Sequence, residues 1–175
     1  MSIEQILSSA PVVPVVVIDN LEDAAPLAQA LYNGGLKALE VTLRTPVAAQ
    51  AVKIMKETVP DAYVGTGTVV DKATFEASVA AGADFMVSPG VNDELLALAK
   101  GTDIPFLPGA ATPSEVMKLA SHGFKFLKFF PAEAAGGVPM LKSIGGPLPQ
   151  VTFCPTGGIS LDSAPKYLAL KNVIC

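Results

Sequence analysis

Short runs of apolar and β-branched residues recur along the chain, separated by segments in which apolar residues have helical spacing. The runs predict seven strands and the beginning of an eighth, starting near Val12, Lys37, Ala62, Asp84, Ile104, Phe124, Val151 and Asn172. The helical segments lie between them, for example at 21–33, 47–59 and 95–99. Strand and helix in regular alternation predict a parallel sheet covered by helices.

Polar residues and glycines mark the ends of the predicted helices. Thr45 and Asn92 are expected N-caps, and Thr112-Pro113-Ser114-Glu115 matches a capping box with proline at the first helical position. Glycine follows the expected helix ends at Asn33, Ala81 and His122, so His122 is interpreted as a C-terminal cap.

Glycine-containing turns follow the strands, at Gly65-Thr66-Gly67, Pro89-Gly90, Pro108-Gly109 and Gly157-Gly158. An α/β barrel builds its active face at these positions. We therefore predict one (β/α)8 TIM barrel domain over residues 1–175, with the eighth βα unit incomplete. An open doubly wound sheet is the alternative, weakened because no G-x-G-x-x-G follows the first strand.

The second predicted strand carries a carboxylate on the face that points into the barrel. Side chains alternate along a strand, so Glu40 and Arg44 share one face with Thr42, opposite the apolar Leu39 and Val41. Arg44 lies roughly 13 Å further along an extended strand, beyond hydrogen-bond reach of Glu40. A purely structural interior carboxylate is possible, but we favour a functional role.

The sixth predicted strand contains two lysines that must face opposite ways. Lys125 and Lys128 are three residues apart, and Lys128 shares its face with Phe126 and Phe130. Desolvation disfavours the ammonium form and leaves an amine able to attack a carbonyl. We therefore interpret Lys128 as a candidate nucleophile. The alternative is that it is a solvated residue at the edge of a strand.

The turn after the seventh strand is a candidate anion site. Gly157 and Gly158 allow backbone N–H groups to approach an anion, and we expect a helix to open at Ile159-Ser160. An ordinary tight turn is the alternative, although barrels often bind phosphate after this strand. Cys154, beside Phe153, is interpreted as a core residue.

The composition of the chain argues against a disordered, a nucleic-acid-binding and a membrane-spanning protein. The chain has 175 residues, 50% of them hydrophobic, and a net charge of −4 without a Lys/Arg cluster, which argues against disorder and nucleic-acid binding. The two cysteines and the N-terminal sequence, which does not have the pattern of a signal peptide, predict a cytoplasmic protein with reduced thiols. No apolar run is long enough for a membrane span.

Five motifs together resemble the 2-keto-3-deoxy-6-phosphogluconate (KDPG) aldolase family, in order and over essentially the whole chain. They are the segments 40–45 (EVTLRT), 65–68 (GTGT), 88–90 (SPG), 128–133 (KFFPAE) and 154–159 (CPTGGI). The resemblance implies a class I, metal-independent and cofactor-free aldolase of the Entner-Doudoroff pathway, on a (β/α)8 barrel that is usually a homotrimer. The family often also acts on 4-hydroxy-2-oxoglutarate (KHG).

The same resemblance implies roles for single residues. Lys128 corresponds to the Schiff-base lysine and Glu40 to the general acid/base. The resemblance implies that the substrate is contacted by Arg44, Thr68, Pro89, Phe130, Thr156, Gly157 and Gly158. The first two are expected at the carboxylate end, Phe130 beside the imine, and the last three at the phosphate end.

Two other functions stay open at this point. A different sugar-phosphate barrel enzyme, an isomerase or epimerase, would use Glu40 as a base and need no imine at Lys128. The family continues beyond the equivalent of Cys175 with a segment that completes strand eight and its phosphate loop. A non-catalytic fragment that keeps only the fold is therefore the third interpretation.

We predict that catalysis does not depend on a metal ion. The chain has one histidine and no Cys/His ligand cluster, so an imine must supply the electron sink that a metal would otherwise provide. Aldol cleavage is expected to be unchanged after treatment with a chelator. A loss of activity that a divalent cation restores would contradict this prediction.

Overall fold

In the computed structural model, which describes residues 1–175, all strands run parallel and form two consecutive sheets. The first sheet contains β1 (Val15–Val16), β2 (Ala38–Thr42), β3 (Tyr63–Gly67), β4 (Met86–Val87) and β5 (Phe106–Leu107). The second contains β6 (Gly109–Ala110), β7 (Phe126–Phe129) and β8 (Thr152–Pro155). In each sheet the strands are neighbours in sequence order, as in a barrel wall.

The fifth predicted strand is observed as two short strands. Pro108 separates β5 from β6 because it has no N–H to donate to a strand ladder. Its carbonyl still accepts a hydrogen bond from the backbone N–H of Lys128 at 2.9 Å. The wall therefore continues from the first sheet to the second through this one residue.

The predicted beginning of an eighth strand lies beside β8. Phe153 forms a parallel bridge with Val173, donating its N–H to Asn172 O at 2.8 Å and accepting one from Ile174 at 3.0 Å. This is the next position in the order of the barrel wall.

The helices are α1 (Ile3–Leu7), α2 (Ala24–Asn33), α3 (Ala48–Thr58), α4 (Lys72–Ala80), α5 (Asp93–Lys100), α6 (Pro113–Ser121), α7 (Gly137–Gly145) and α8 (Ala164–Leu168). Helix α1 precedes β1, and the other helices follow the strands along the chain. Leu39 and Val41 of β2 pack in one buried cluster with Val52 and Met55 of α3, which identifies the outward face of the strand. None of the helices has the length and apolarity needed to cross a membrane.

Two of the three predicted N-caps are confirmed. Asn92 accepts a hydrogen bond from the Leu95 N–H, and Thr112 forms a capping box with Glu115. The prediction for Thr45 is wrong, because its hydroxyl donates to the Ile18 carbonyl at 2.6 Å and α3 begins after Val47. The bond ties the end of β2 to the end of β1.

The prediction of a helix directly after Gly157-Gly158 is also wrong. Both glycines have positive φ, 105° and 76°, which a right-handed helix does not accept. The chain instead turns through Ser160, whose N–H is bound by the Ser163 hydroxyl at 2.9 Å, and α8 begins only at Ala164.

The interior of the barrel is apolar at the N-terminal ends of the strands. Ile6 and Leu7 of α1 are buried against Ala38, Phe85 and Leu107. Helix α1 therefore covers this end of the barrel.

Candidate active site

Lys128 and Glu40 meet inside the barrel. Lys128 lies in β7 and Glu40 in β2, and only 5% and 4% of their surfaces are exposed. The Nζ atom of Lys128 is 3.4 Å from Oε1 of Glu40. Lys125, by contrast, is exposed on the other side of the wall. The structure thus brings together the two residues selected for catalysis.

Burial changes the proton affinity of Glu40. Removal from water raises the pKa of this carboxyl group, while the positive charges of Lys128 and Arg44 oppose the rise without cancelling it. A carboxyl group whose pKa is shifted upward toward neutrality is better able to exchange protons in both directions. The site therefore places a potential general acid/base beside a buried amine.

Gly67 makes room for the Glu40 side chain. A Cβ atom at Gly67 would overlap the carboxylate of Glu40, which is possible only because glycine has none. The next residue, Thr68, has φ of 62°, an unusual value for a β-branched residue. Its hydroxyl accepts a hydrogen bond from Nε of Arg44 at 3.0 Å, so the ends of β2 and β3 are joined at the mouth of the barrel.

A cavity of about 580 Å³ opens from this pair toward the C-terminal ends of the strands. Seven residues predicted from the sequence line it, namely Glu40, Arg44, Lys128, Phe130, Thr156, Gly157 and Gly158. The Phe130 ring lies 5.3 Å from Nζ of Lys128, and a Cβ atom at Gly157 would be 3.4 Å from the same ring. Phe130 therefore lies between the buried amine and the glycine turn.

Two predicted residues do not line the cavity. Thr68 reaches it only through Arg44, and Pro89 follows β4 with its carbonyl directly against Gly109. Both still lie just after strands, on the same end of the barrel as Arg44.

Cys154 packs against the buried cluster that contains Phe85, as expected of a core residue. It is half-buried, lines the cavity and is the register partner of Lys128 across the β7–β8 ladder. Phe153 packs outward in the core, so strand parity, applied to β8 as it was to β2, could have placed Cys154 inside. Its thiol and that of Cys175, which also lines the cavity, are free.

The sequence matches a family model described as KDPG and KHG aldolase over residues 3–175. A curated 2-dehydro-3-deoxy-phosphogluconate aldolase from Dickeya dadantii is 51% identical over 174 residues, 99% of this chain and 82% of that protein. The chain belongs to the KDPG and KHG aldolase family. This confirms the resemblance identified from the motifs and selects an aldolase, a carbon–carbon lyase, over an isomerase or epimerase.

Solved structures of the family share the architecture. A KDPG aldolase from Legionella pneumophila, with pyruvate captured as a covalent carbinolamine, superposes with a TM-score of 0.96 at 51% identity, covering 98% of this chain and 84% of that one. The Zymomonas mobilis KDPG aldolase with 3-phosphoglycerate gives 0.95 at 48% identity, covering 98% and 82%. The predicted α/β barrel of the TIM type is therefore confirmed.

We expect Gly67→Ala to destabilise the protein by forcing Glu40 out of its position. Overpacking a buried site typically costs about 1–3 kcal/mol of unfolding free energy, which urea denaturation measures. Gly90→Ala is the matched control, because a Cβ atom at Gly90 meets nothing within 4 Å. Equal stability of the two variants would show that Glu40 does not occupy the space above Gly67.

Proposed function

We propose that this chain is a class I aldolase that cleaves KDPG to pyruvate and glyceraldehyde 3-phosphate, and KHG to pyruvate and glyoxylate. The observation that carries the proposal is the buried Lys128 amine, 3.4 Å from the Glu40 carboxylate inside the barrel. The carbinolamine captured in the Legionella relative supports covalent chemistry with pyruvate.

In the proposed reaction, the Lys128 amine adds to the C2 ketone and the resulting carbinolamine loses water to form a protonated imine. The imine accepts the electron pair of the C3–C4 bond as that bond breaks. Glu40 removes the C4 hydroxyl proton, so the aldehyde leaves as a neutral product, and a proton is then returned to C3 of the enamine. Hydrolysis releases pyruvate and restores the free amine.

The remaining predicted residues are assigned by their places around the cavity. We place the substrate carboxylate near Arg44 and Thr68, joined by their hydrogen bond, with Pro89 behind them. Phe130 packs beside the imine. The phosphate group is assigned to Thr156, Gly157 and Gly158, at the other end of the cavity. The 3-phosphoglycerate in the Zymomonas relative supports recognition of a phosphorylated three-carbon unit in this family.

We also propose a cell compartment, an oligomeric state and a class of ligand for this enzyme. We place it in the cytoplasm, as a homotrimer that acts on a small phosphorylated keto-deoxy sugar acid and binds neither nucleic acid nor membranes. We also propose that residues 1–175 form a single barrel domain.

We predict that pyruvate plus borohydride modifies Lys128 and no other lysine. The other lysines lie outside the cavity, whereas Lys128 lies within it, and borohydride reduction converts the Lys128 imine to a stable secondary amine. Peptide mass spectrometry locates the label. Lys125→Gln should still be labelled, whereas Lys128→Gln should not.

Label on Lys125, or label spread over the surface lysines, would contradict the imine mechanism. Absence of label from the folded wild-type chain would support the interpretation of a non-catalytic protein.

We predict that Glu40→Gln still forms the imine but cleaves KDPG more slowly by about 10²- to 10⁴-fold. The carboxamide has nearly the same size, yet it cannot exchange the proton that cleavage requires. Borohydride trapping and steady-state cleavage rates separate the two steps. Glu22→Gln, at an exposed position, serves as the control, and an unchanged rate in Glu40→Gln would assign Glu40 a structural role.

A further inference from the structure

The segment after β7 lies directly against the glycine turn after β8. The Ala132 N–H donates to Thr156 O at 2.8 Å, and the Glu133 N–H donates to Gly157 O at 3.1 Å. A Cβ atom at Gly158 would lie 2.9 Å from Cβ of Glu133, so the backbone of the turn is in contact with the aliphatic part of this side chain. Glu133 thus touches both glycines of the turn.

The carboxylate of Glu133 is itself held from the opposite side. The Tyr167 hydroxyl, on α8, donates to Oε1 of Glu133 at 2.6 Å, the length of a strong charge-assisted hydrogen bond. Tyr167 is only 2% exposed. Gly137 makes room for it, because a Cβ atom there would lie 3.1 Å from the hydroxyl oxygen. Burial, reinforced by Glu133, raises the pKa of Tyr167, so the phenol remains a donor.

The turn needs such support. Gly157 and Gly158 have no side chains with which to anchor themselves, and glycine has more backbone freedom than any other residue. Both glycines have positive φ values, 105° and 76°, so the path of the turn is one that few other residues adopt. Phe130 contacts Gly157 from one side, and Glu133 contacts Gly158 from another. The catalytic pair lies beyond Phe130 and makes no hydrogen bond with Glu133 or Tyr167.

We propose that Glu133 and Tyr167 are positioning residues that hold the Gly157-Gly158 turn in the conformation that binds the substrate phosphate, and so set the preference for phosphorylated substrates. The inference rests on the proposed function, which assigns the phosphate group to this turn. Neither side chain is assigned a chemical step. The pair acts at one end of the cavity, so its loss should affect KDPG and not KHG, which has no phosphate.

The test compares Tyr167→Phe, Glu133→Ala and Glu133→Gln in the full chain. Tyr167→Phe removes only the hydroxyl and keeps the buried ring, and Glu133→Gln keeps an oxygen that accepts the bond. Tyr32→Phe is the matched control, since Tyr32 packs in the cluster around α2 and α3, away from the cavity. The readouts are KM and kcat for KDPG and KHG, and the Kd for inorganic phosphate from calorimetry.

We expect Tyr167→Phe and Glu133→Ala to raise the KM for KDPG and the Kd for phosphate roughly tenfold, the usual scale for loss of a hydrogen bond to a charged group. The kcat for KDPG and both constants for KHG should stay at the wild-type values. Glu133→Gln should restore most of the phosphate affinity, and Tyr32→Phe should change nothing.

Equal phosphate affinity in the wild type and Tyr167→Phe would overturn the inference, as would no measurable phosphate binding to the wild type. A parallel loss of activity toward KDPG and KHG would also overturn it, because it would show a general structural role. Failure of the proposed function would appear separately, as absence of an imine on Lys128 in the wild-type protein with pyruvate and borohydride.

Discussion

The side chains of Lys128 and Glu40 face each other inside the barrel, and the rest of the candidate site is arranged around this contact. A buried polar group needs a partner, because burial removes the water that would otherwise bind it. Lys128 and Glu40 come from strands far apart in the sequence, and 3.4 Å separates Nζ of Lys128 from Oε1 of Glu40. The curved succession of parallel strands brings β2 and β7 to the same interior.

The barrel interior is apolar at one end and polar around this pair. Ile6 and Leu7 of α1 close the N-terminal end together with Phe85. Two glycines of β3 leave room for neighbouring side chains inside the barrel. A Cβ atom at Gly65 would overlap the Phe85 ring, and one at Gly67 would overlap Glu40. Strand β3 thus leaves room for the apolar Phe85 ring at Gly65 and for the Glu40 carboxylate at Gly67.

The Gly157-Gly158 turn is held in place by residues from other segments of the chain. The turn at Gly157-Gly158 presents backbone groups, so its position depends on the residues around it and not on side chains of its own. Glu133 lies after β7 and Tyr167 lies in α8, the helix that follows the turn. The hydrogen bond between them joins the segments on either side of the turn. The conformation of this turn therefore depends on packing between neighbouring units, whereas the contact between Lys128 and Glu40 lies in the barrel interior.

Much of the architecture was determined by the sequence alone. Alternation of apolar runs with amphipathic segments defined the strands and helices, and strand parity identified Glu40 and Lys128 as inward-facing, because adjacent side chains on a strand must point to opposite faces. The motifs identified the family. Local chemistry was less reliable where a tertiary partner competes, as at Thr45, whose hydroxyl binds the Ile18 carbonyl and does not cap α3.

Only the tertiary structure decided which distant residues meet. The 3.4 Å approach of Lys128 to Glu40, the room that Gly67 leaves for the carboxylate and the Glu133–Tyr167 hydrogen bond all join different strands or loops. Sequence spacing defines the face of a strand, but distances across a barrel depend on how the strands are arranged in the wall.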